Sequence, residues 1–209
     1  MAAPSIGLAD ALGTLERDGL LLLSDTSLPS LAALVAGEPI RGSWWGHRSG
    51  AAIFAVATEL DAHADVATAK LLGGKVTFVH RRLFATLASV GAARAPWQTA
   101  GLDEPAAALL ARVIERGTER ASGAPVKLLE TRLLCASREV HTRSGAHVTE
   151  LSAWSVFARE RGFAAAPEDA GASMSVLERV RDGLVAGSGG SIALPWEAPL
   201  RGRRKGRAR

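Results

Sequence analysis

Ten residues carry the densest chemistry of the chain: Arg41-Gly42-Ser43-Trp44-Trp45-Gly46-His47-Arg48-Ser49-Gly50. The three glycines allow a ligand close to the backbone. Ser43, Ser49 and the free N–H groups of a following helix can cradle a phosphate. Arg41 and Arg48 can grip the same anion with two parallel hydrogen bonds each. Trp44 or Trp45 can stack on a nucleobase. A connecting loop with one tryptophan buried and the other covering it would use the same residues. The spacing is neither a Walker A loop nor a G-x-G-x-x-G fingerprint.

A second group is His80-Arg81-Arg82, placed where a strand hands over to a helix. Cations at a helix N-terminus oppose the macrodipole, so Arg81 and Arg82 call for an anion, either an internal carboxylate or a ligand phosphate. An imidazole titrates near pH ~6.5, which makes His47 and His80 the candidate acid–base pair if the fold brings them together. His80 also suits a core-edge position bonded to a neighbour. A third group, His141 to His147, flanks a hairpin tip with Arg143 positioned to touch a phosphate. It lacks the H-E-x-x-H spacing of a zinc site. The lone Cys135 allows neither an internal disulfide nor a multi-cysteine metal site and reads as a buried apolar residue on a helix. No metal and no cofactor are therefore expected. No G-x-S-x-G elbow is present.

Charge narrows the possible partners. The formal net charge is +4 and the pI about 10.0, yet six of the 25 basic residues lie in Arg201 to Arg209. Without them 19 basic residues face 21 acidic ones. The body is slightly acidic, so any polyanion site on it must be local, with the tail adding sequence-independent attraction. The longest apolar run, Leu20 to Leu23, is too short to span a membrane. No signal peptide is read at the N-terminus. A cytoplasmic location is expected, and no membrane partner.

The elements that must position these groups follow from apolar spacing. Helices are expected over residues 6–17, 27–36, 49–60, 81–90, 103–120, 125–136 and 175–185; residues 152–161 read either as a further helix or as a strand running on to Trp154. Ser27 and Ser49 serve as caps, and Gly91 closes the helix from Arg81. Residues 66–72 and 75–80 form a hairpin around Gly73-Gly74. A two-residue turn pairs Leu71 with Val76 and Ala69 with Phe78. Ala67, Ala69, Leu71, Val76, Phe78 and His80 then share one face, and Thr68, Lys70 and Thr77 the other. A second hairpin spans 139–142 and 147–151. Residues 49–80 and 126–151 thus repeat a helix followed by a hairpin, the element order of winged-helix nucleic-acid modules.

Gly42-Ser43-Trp44-Trp45-Gly46-His47 and Gly74-Lys75-Val76-Thr77-Phe78-Val79-His80-Arg81-Arg82-Leu83 together resemble a recurring motif pair in small uncharacterised bacterial proteins. The resemblance covers roughly residues 30 to 155 and implies no activity.

The sequence thus predicts an α+β fold, mostly helical. A single domain over 1–186 has two β-hairpins and winged-helix-like units, and 187–209 is a flexible linker with a disordered basic tail. Ile192 to Trp196 are expected to rest loosely on the body. The leading functional expectation is nucleic-acid binding, in DNA repair or regulation. It rests on Arg41, Ser43, Trp44, Trp45, His47, Arg48, Ser49, His80, Arg81, Arg82 and Arg143. The alternatives are an enzyme acting on a nucleotide or phosphorylated small molecule through His47 or His80, and a protein-interaction domain.

Overall fold

The computed structural model describes residues 7–141, 147–163 and 169–197. The fold is α+β and mostly helical, with two small antiparallel sheets of three strands each. The first unit runs α1 (Leu8–Asp18), β1 (Leu20–Leu22), α2 (Leu31–Ala36), α3 (Gly50–Ala62), β2 (Val66–Lys70) and β3 (Val76–His80). Its strands lie in the order β1-β3-β2. The second unit runs α6 (Glu104–Arg116), β4 (Thr118–Ala121), α7 (Ala124–Thr131), β5 (Ala136–His141) and β6 (His147–Ser152), with strand order β4-β6-β5. It repeats the first unit's order with one helix fewer. Between the units lie α4 (Phe84–Ala92) and the short α5 (Pro96–Thr99). α8 (Trp154–Glu160) and α9 (Ala170–Ala186) close the fold.

Both faces of the first sheet are buried. Leu21, Val66 and Phe78 pack against Ala11 and Leu15 of α1 and Val56 and Leu60 of α3. Leu20, Leu22, Ala69 and Val79 pack on the opposite side with Leu87 of α4 and Leu177 of α9. Two buried faces explain why β1 is an unbroken apolar run, Leu20 to Leu22, buried throughout.

The first hairpin is paired one residue away from the register a two-residue turn dictates. Ala67 faces Val79, Thr68 faces Phe78 and Lys70 faces Val76. Gly73 and Gly74 do form the tip, with φ of 59° and 69° and a bond from Lys75 N–H to Leu72 C=O. Below the tip, however, two residues, Leu71 and Leu72, separate Lys70 from the turn glycines, against the single Lys75 that separates them from its partner Val76. Leu72 N–H donates to the Thr77 hydroxyl at 3.2 Å instead of to a strand carbonyl. This extra residue slips the pairing by one. It lets both Leu71 and Leu72 bury completely. Consequently Val66, Thr68, Lys70, Val76, Phe78 and His80 share a face, which turns Thr68 and Lys70 towards the same side as Phe78.

Other boundaries shift for local reasons. The predicted 103–120 helix stops at Arg116, because Gly117 adopts φ 80° and ends it, and residues 118–121 become β4. The helix expected to reach Ala136 stops at Thr131; Leu133, at φ 53°, turns the chain into β5. Cys135 is buried in that connection, not on a helix. α2 starts at Leu31 with Ser30 as its cap, accepting from Ala33 N–H, in place of Ser27. α9 is capped by Asp169 and is much longer than the spacing after Ser175 indicates. Trp97 sits on α5 where a plain loop is expected.

After α9 the chain returns as a strap over the first unit. Leu194 is fully buried in the main core, and Gly73 N–H donates to Ala193 C=O at 2.8 Å. Arg181 of α9 grips Glu197 with two bonds of 2.6 and 2.9 Å, and Glu197 accepts from Leu194 N–H. Trp196 Nε1–H donates to Glu178. No helix among the described residues is long and apolar enough to cross a membrane.

Candidate functional site

The tryptophan pair divides its work. Trp44 is buried with Ala32, Ile40 and Ile53. Trp45 stacks on it, with ring centroids 4.1 Å apart and planes at 23°, and remains 65% exposed. A 3-10 turn over Trp44–Gly46 makes this offset possible. Gly50 is required beneath it, since a Cβ there would sit 2.9 Å from Trp45 C=O and 3.0 Å from Trp44 C=O. Phe54, one turn into α3, lies 5.5 Å from Trp45 and is 46% exposed. Two large aromatic faces thus form a ledge in water.

The polar groups of the same loop are turned mostly on themselves. His47 Nδ1 accepts from Ser49 N–H at 3.2 Å, and Nε2 lies 3.9 Å from Glu38 Oε1. Arg48 reaches the same Glu38 oxygen at 3.3 Å while staying largely exposed. Ser49 occupies the cap position of α3, but its hydroxyl makes no capping bond. Arg41 and Ser43 are exposed.

His80, Arg81 and Arg82 diverge. The His80 imidazole accepts weakly from Arg82 N–H at 3.5 Å. Burial, and then the Arg82 charge, push its pKa below the ordinary value, with Glu16 and Asp65 pulling the other way. His80 is therefore neutral at neutral pH. Arg81 pairs with Asp65 at 2.8 Å, which supplies the internal carboxylate its position calls for. Arg82 turns away to α1, where Nη2 donates to Arg17 C=O at 3.0 Å. Arg143 lies outside the described residues.

A cleft of about 1130 Å³ runs between the two units. Trp44, Trp45 and Phe54 stand at one part of its wall, and Arg81 lines it too. The structure thus brings the tryptophan pair and Arg81 to one cleft. His47, Arg48, His80 and Arg82 are not among its lining residues. No known family model, curated protein or solved structure matches this chain.

Other parts of the cleft involve residues that motif reading passes over. Lys70 projects from β2 to Glu130 of α7 at 2.5 Å, and Glu130 also accepts from the Ser137 hydroxyl. Arg161 donates to the carbonyls of His63 and Ala64 at 3.1 Å each, with its guanidinium 5.8 Å from the ring centres of Phe84 and Phe157. Arg138 and Arg120 flank Glu150 on the second sheet. Burial would raise the Glu150 pKa, but the two arginines outweigh it and hold the carboxylate below its usual range. Phe54 had a usable signal: it is an aromatic residue off the Ile53, Val56, Leu60 stripe. Lys70 had none, because its direction depends on the register slip. Among the described residues no group of three or more His, Cys, Asp or Glu is arranged to hold a metal. Burial pushes the Cys135 thiol up to about 12, which makes it a poor nucleophile.

Proposed function

We propose that the chain binds nucleic acid through bases stacked on the Trp45–Phe54 ledge. The observation that carries this reading is Trp45 itself, a large ring held 65% exposed by a buried partner at the wall of an inter-unit cleft. Base–aromatic stacking contributes about 1–3 kcal/mol per base and tolerates any sequence. The repeated helix–strand–helix–hairpin order supports the reading, being the order of winged-helix modules.

Groove reading is a poorer fit. α3 is the helix that a helix–turn–helix arrangement would insert into a major groove. Its outward residues are Ala51, Ala52, Phe54, Ala55, Thr58 and Glu59. None presents a cation or amide to a base edge. Single-stranded or locally unstacked bases therefore suit this surface better than an intact duplex. Because Arg81 and Lys70 are already paired, the cleft beside the ledge contributes little phosphate attraction of its own, and cations elsewhere, those of the terminal run above all, supply it.

Fluorescence anisotropy with a labelled oligonucleotide, titrated at several salt concentrations, tests the reading. Trp45→Ala should weaken single-strand binding by about tenfold, in line with the loss of one stacked base. The salt dependence should stay as steep as in the parent, because stacking releases no counterions. Absence of binding at low salt, or equal affinity of parent and variant, would overturn it.

A further inference from the structure

A second recess, of about 710 Å³, lies on another part of the molecule between the end of α1, the loop before α2, and α9. Three arginines line it: Arg17, Arg82 and Arg179. Asp18 is its one carboxylate, and Arg17 occupies it with bonds of 2.8 and 2.7 Å. That leaves Arg82 and Arg179 with no carboxylate partner among the described residues. Arg179 makes neither a hydrogen bond nor an ion pair there. Arg82 spends one donor on Arg17 C=O.

The backbone is shaped around Arg82. Gly19 ends α1 at φ 83°, and a Cβ at that position would come within 2.8 Å of Arg82 Nη2. The missing side chain lets the guanidinium lie across the helix end, anchored at one corner, with its remaining donors unspent. Leu28, Val180 and Leu184 add apolar lining to the same recess. Its size falls in the range of roughly 300–1,000 Å³ typical of small-molecule sites. Two unpaired guanidinium groups beside an apolar wall call for a ligand with an anionic end and an organic body.

We propose that this recess binds a small phosphorylated organic molecule of nucleotide size, its phosphate held by Arg82 and Arg179. Arg is the side chain whose fork matches phosphate oxygens. The site is independent of the Trp45 ledge, so either can fail alone.

Thermal-shift and calorimetric titrations of the full chain with inorganic phosphate, pyrophosphate and ATP test it. ATP should stabilise the protein and bind more tightly than pyrophosphate, because its organic part covers the apolar wall. Arg179→Ala should weaken ATP binding by about tenfold, and Arg179→Glu should abolish it. Arg179 is exposed and unpaired, so neither change should alter the melting temperature of the unliganded protein. The terminal cations are present in every variant and cannot produce the difference. The proposal is overturned if none of the three probes shifts the melting temperature, or if the Arg179 variants respond like the parent. It is equally overturned if Arg179→Glu weakens only oligonucleotide binding, which would make the recess a contact for a polymer backbone.

Discussion

Gly91 shows how much a single hydrogen can matter in this fold. It lies inside α4, and a Cβ there would sit 2.2 Å from Cε2 and Nε1 of Trp154. The indole cannot retreat cheaply, because its Nε1–H donates to Leu133 C=O at 2.8 Å. Gly91→Ala should destabilise the protein by about 3 kcal/mol, an overpacking cost and the reverse of the helix-propensity gain expected at an exposed site. Chemical denaturation of the two proteins measures it; equal or greater stability of the variant would show that the ring moves freely. The glycine was visible in the sequence as a helix stop. Its actual role was not, since it depends on a tryptophan 63 positions away. The candidate site divides in the same way. The tryptophan pair stood out in the sequence, whereas which of the two is exposed and how Arg81 and Arg82 diverge did not. Which carboxylate or carbonyl each arginine meets is set by α1 and Asp65, not by the motif that contains them.

Among the elements, the strap over residues 191–197 carries the sharpest expectation. Leu194 is fully buried in the main core, and Leu194→Ala should cost about 3 kcal/mol. Its anchor, Glu197, adds a pH dependence. The Arg181 hydrogen bonds hold the Glu197 carboxyl below its ordinary pKa, outweighing burial, with help from Leu194 N–H. A depressed carboxyl pKa means that the folded state favours the carboxylate. Its contribution is complete above the unfolded value near ~4.3 and fades as pH falls through the folded one. Glu197→Gln should therefore cost roughly 1 kcal/mol at neutral pH, a figure reduced for the partial exposure of the pair. The gap in melting temperature between parent and variant should close below about pH 4; a gap that persists into strong acid would remove Glu197 as its source. Element existence was largely readable from apolar spacing. Register was less so, because Leu71 and Leu72 compete for burial against the geometry of a two-residue turn, and burial wins. β4 was hidden because Thr118 to Ala121 continue the polar pattern of α6, and only the left-handed Gly117 separates them.

Each helix–hairpin unit has an apolar cluster of its own, but both also contribute to the main cluster, and this shapes how the whole molecule should unfold. Leu133 and Trp154 come from the second half of the chain, yet they lie in the cluster that includes Leu20, Val79 and Leu87 of the first half. Polar contacts cross the same boundary, from Lys70 to Glu130 and from Arg161 to the carbonyls of His63 and Ala64. The strap and α9 add to this cluster from the end of the chain, through Leu177 and Leu194. If each unit were an independent domain, separating them would expose little apolar surface and heating would give two transitions. Here separation would uncover Leu133, at 1% exposure, and Trp154, at 6%. Burying side chains of this size contributes about 1.5–3 kcal/mol each. That sum is a large share of the 5–15 kcal/mol typical of a whole domain. Differential scanning calorimetry should accordingly show one transition, with calorimetric and van't Hoff enthalpies in agreement. Leu133→Ala should move that single peak to lower temperature by removing contacts from both units at once. Two resolved peaks in the parent, or a variant in which only part of the heat absorption shifts, would mean that the units are stable apart and that their shared cluster is incidental.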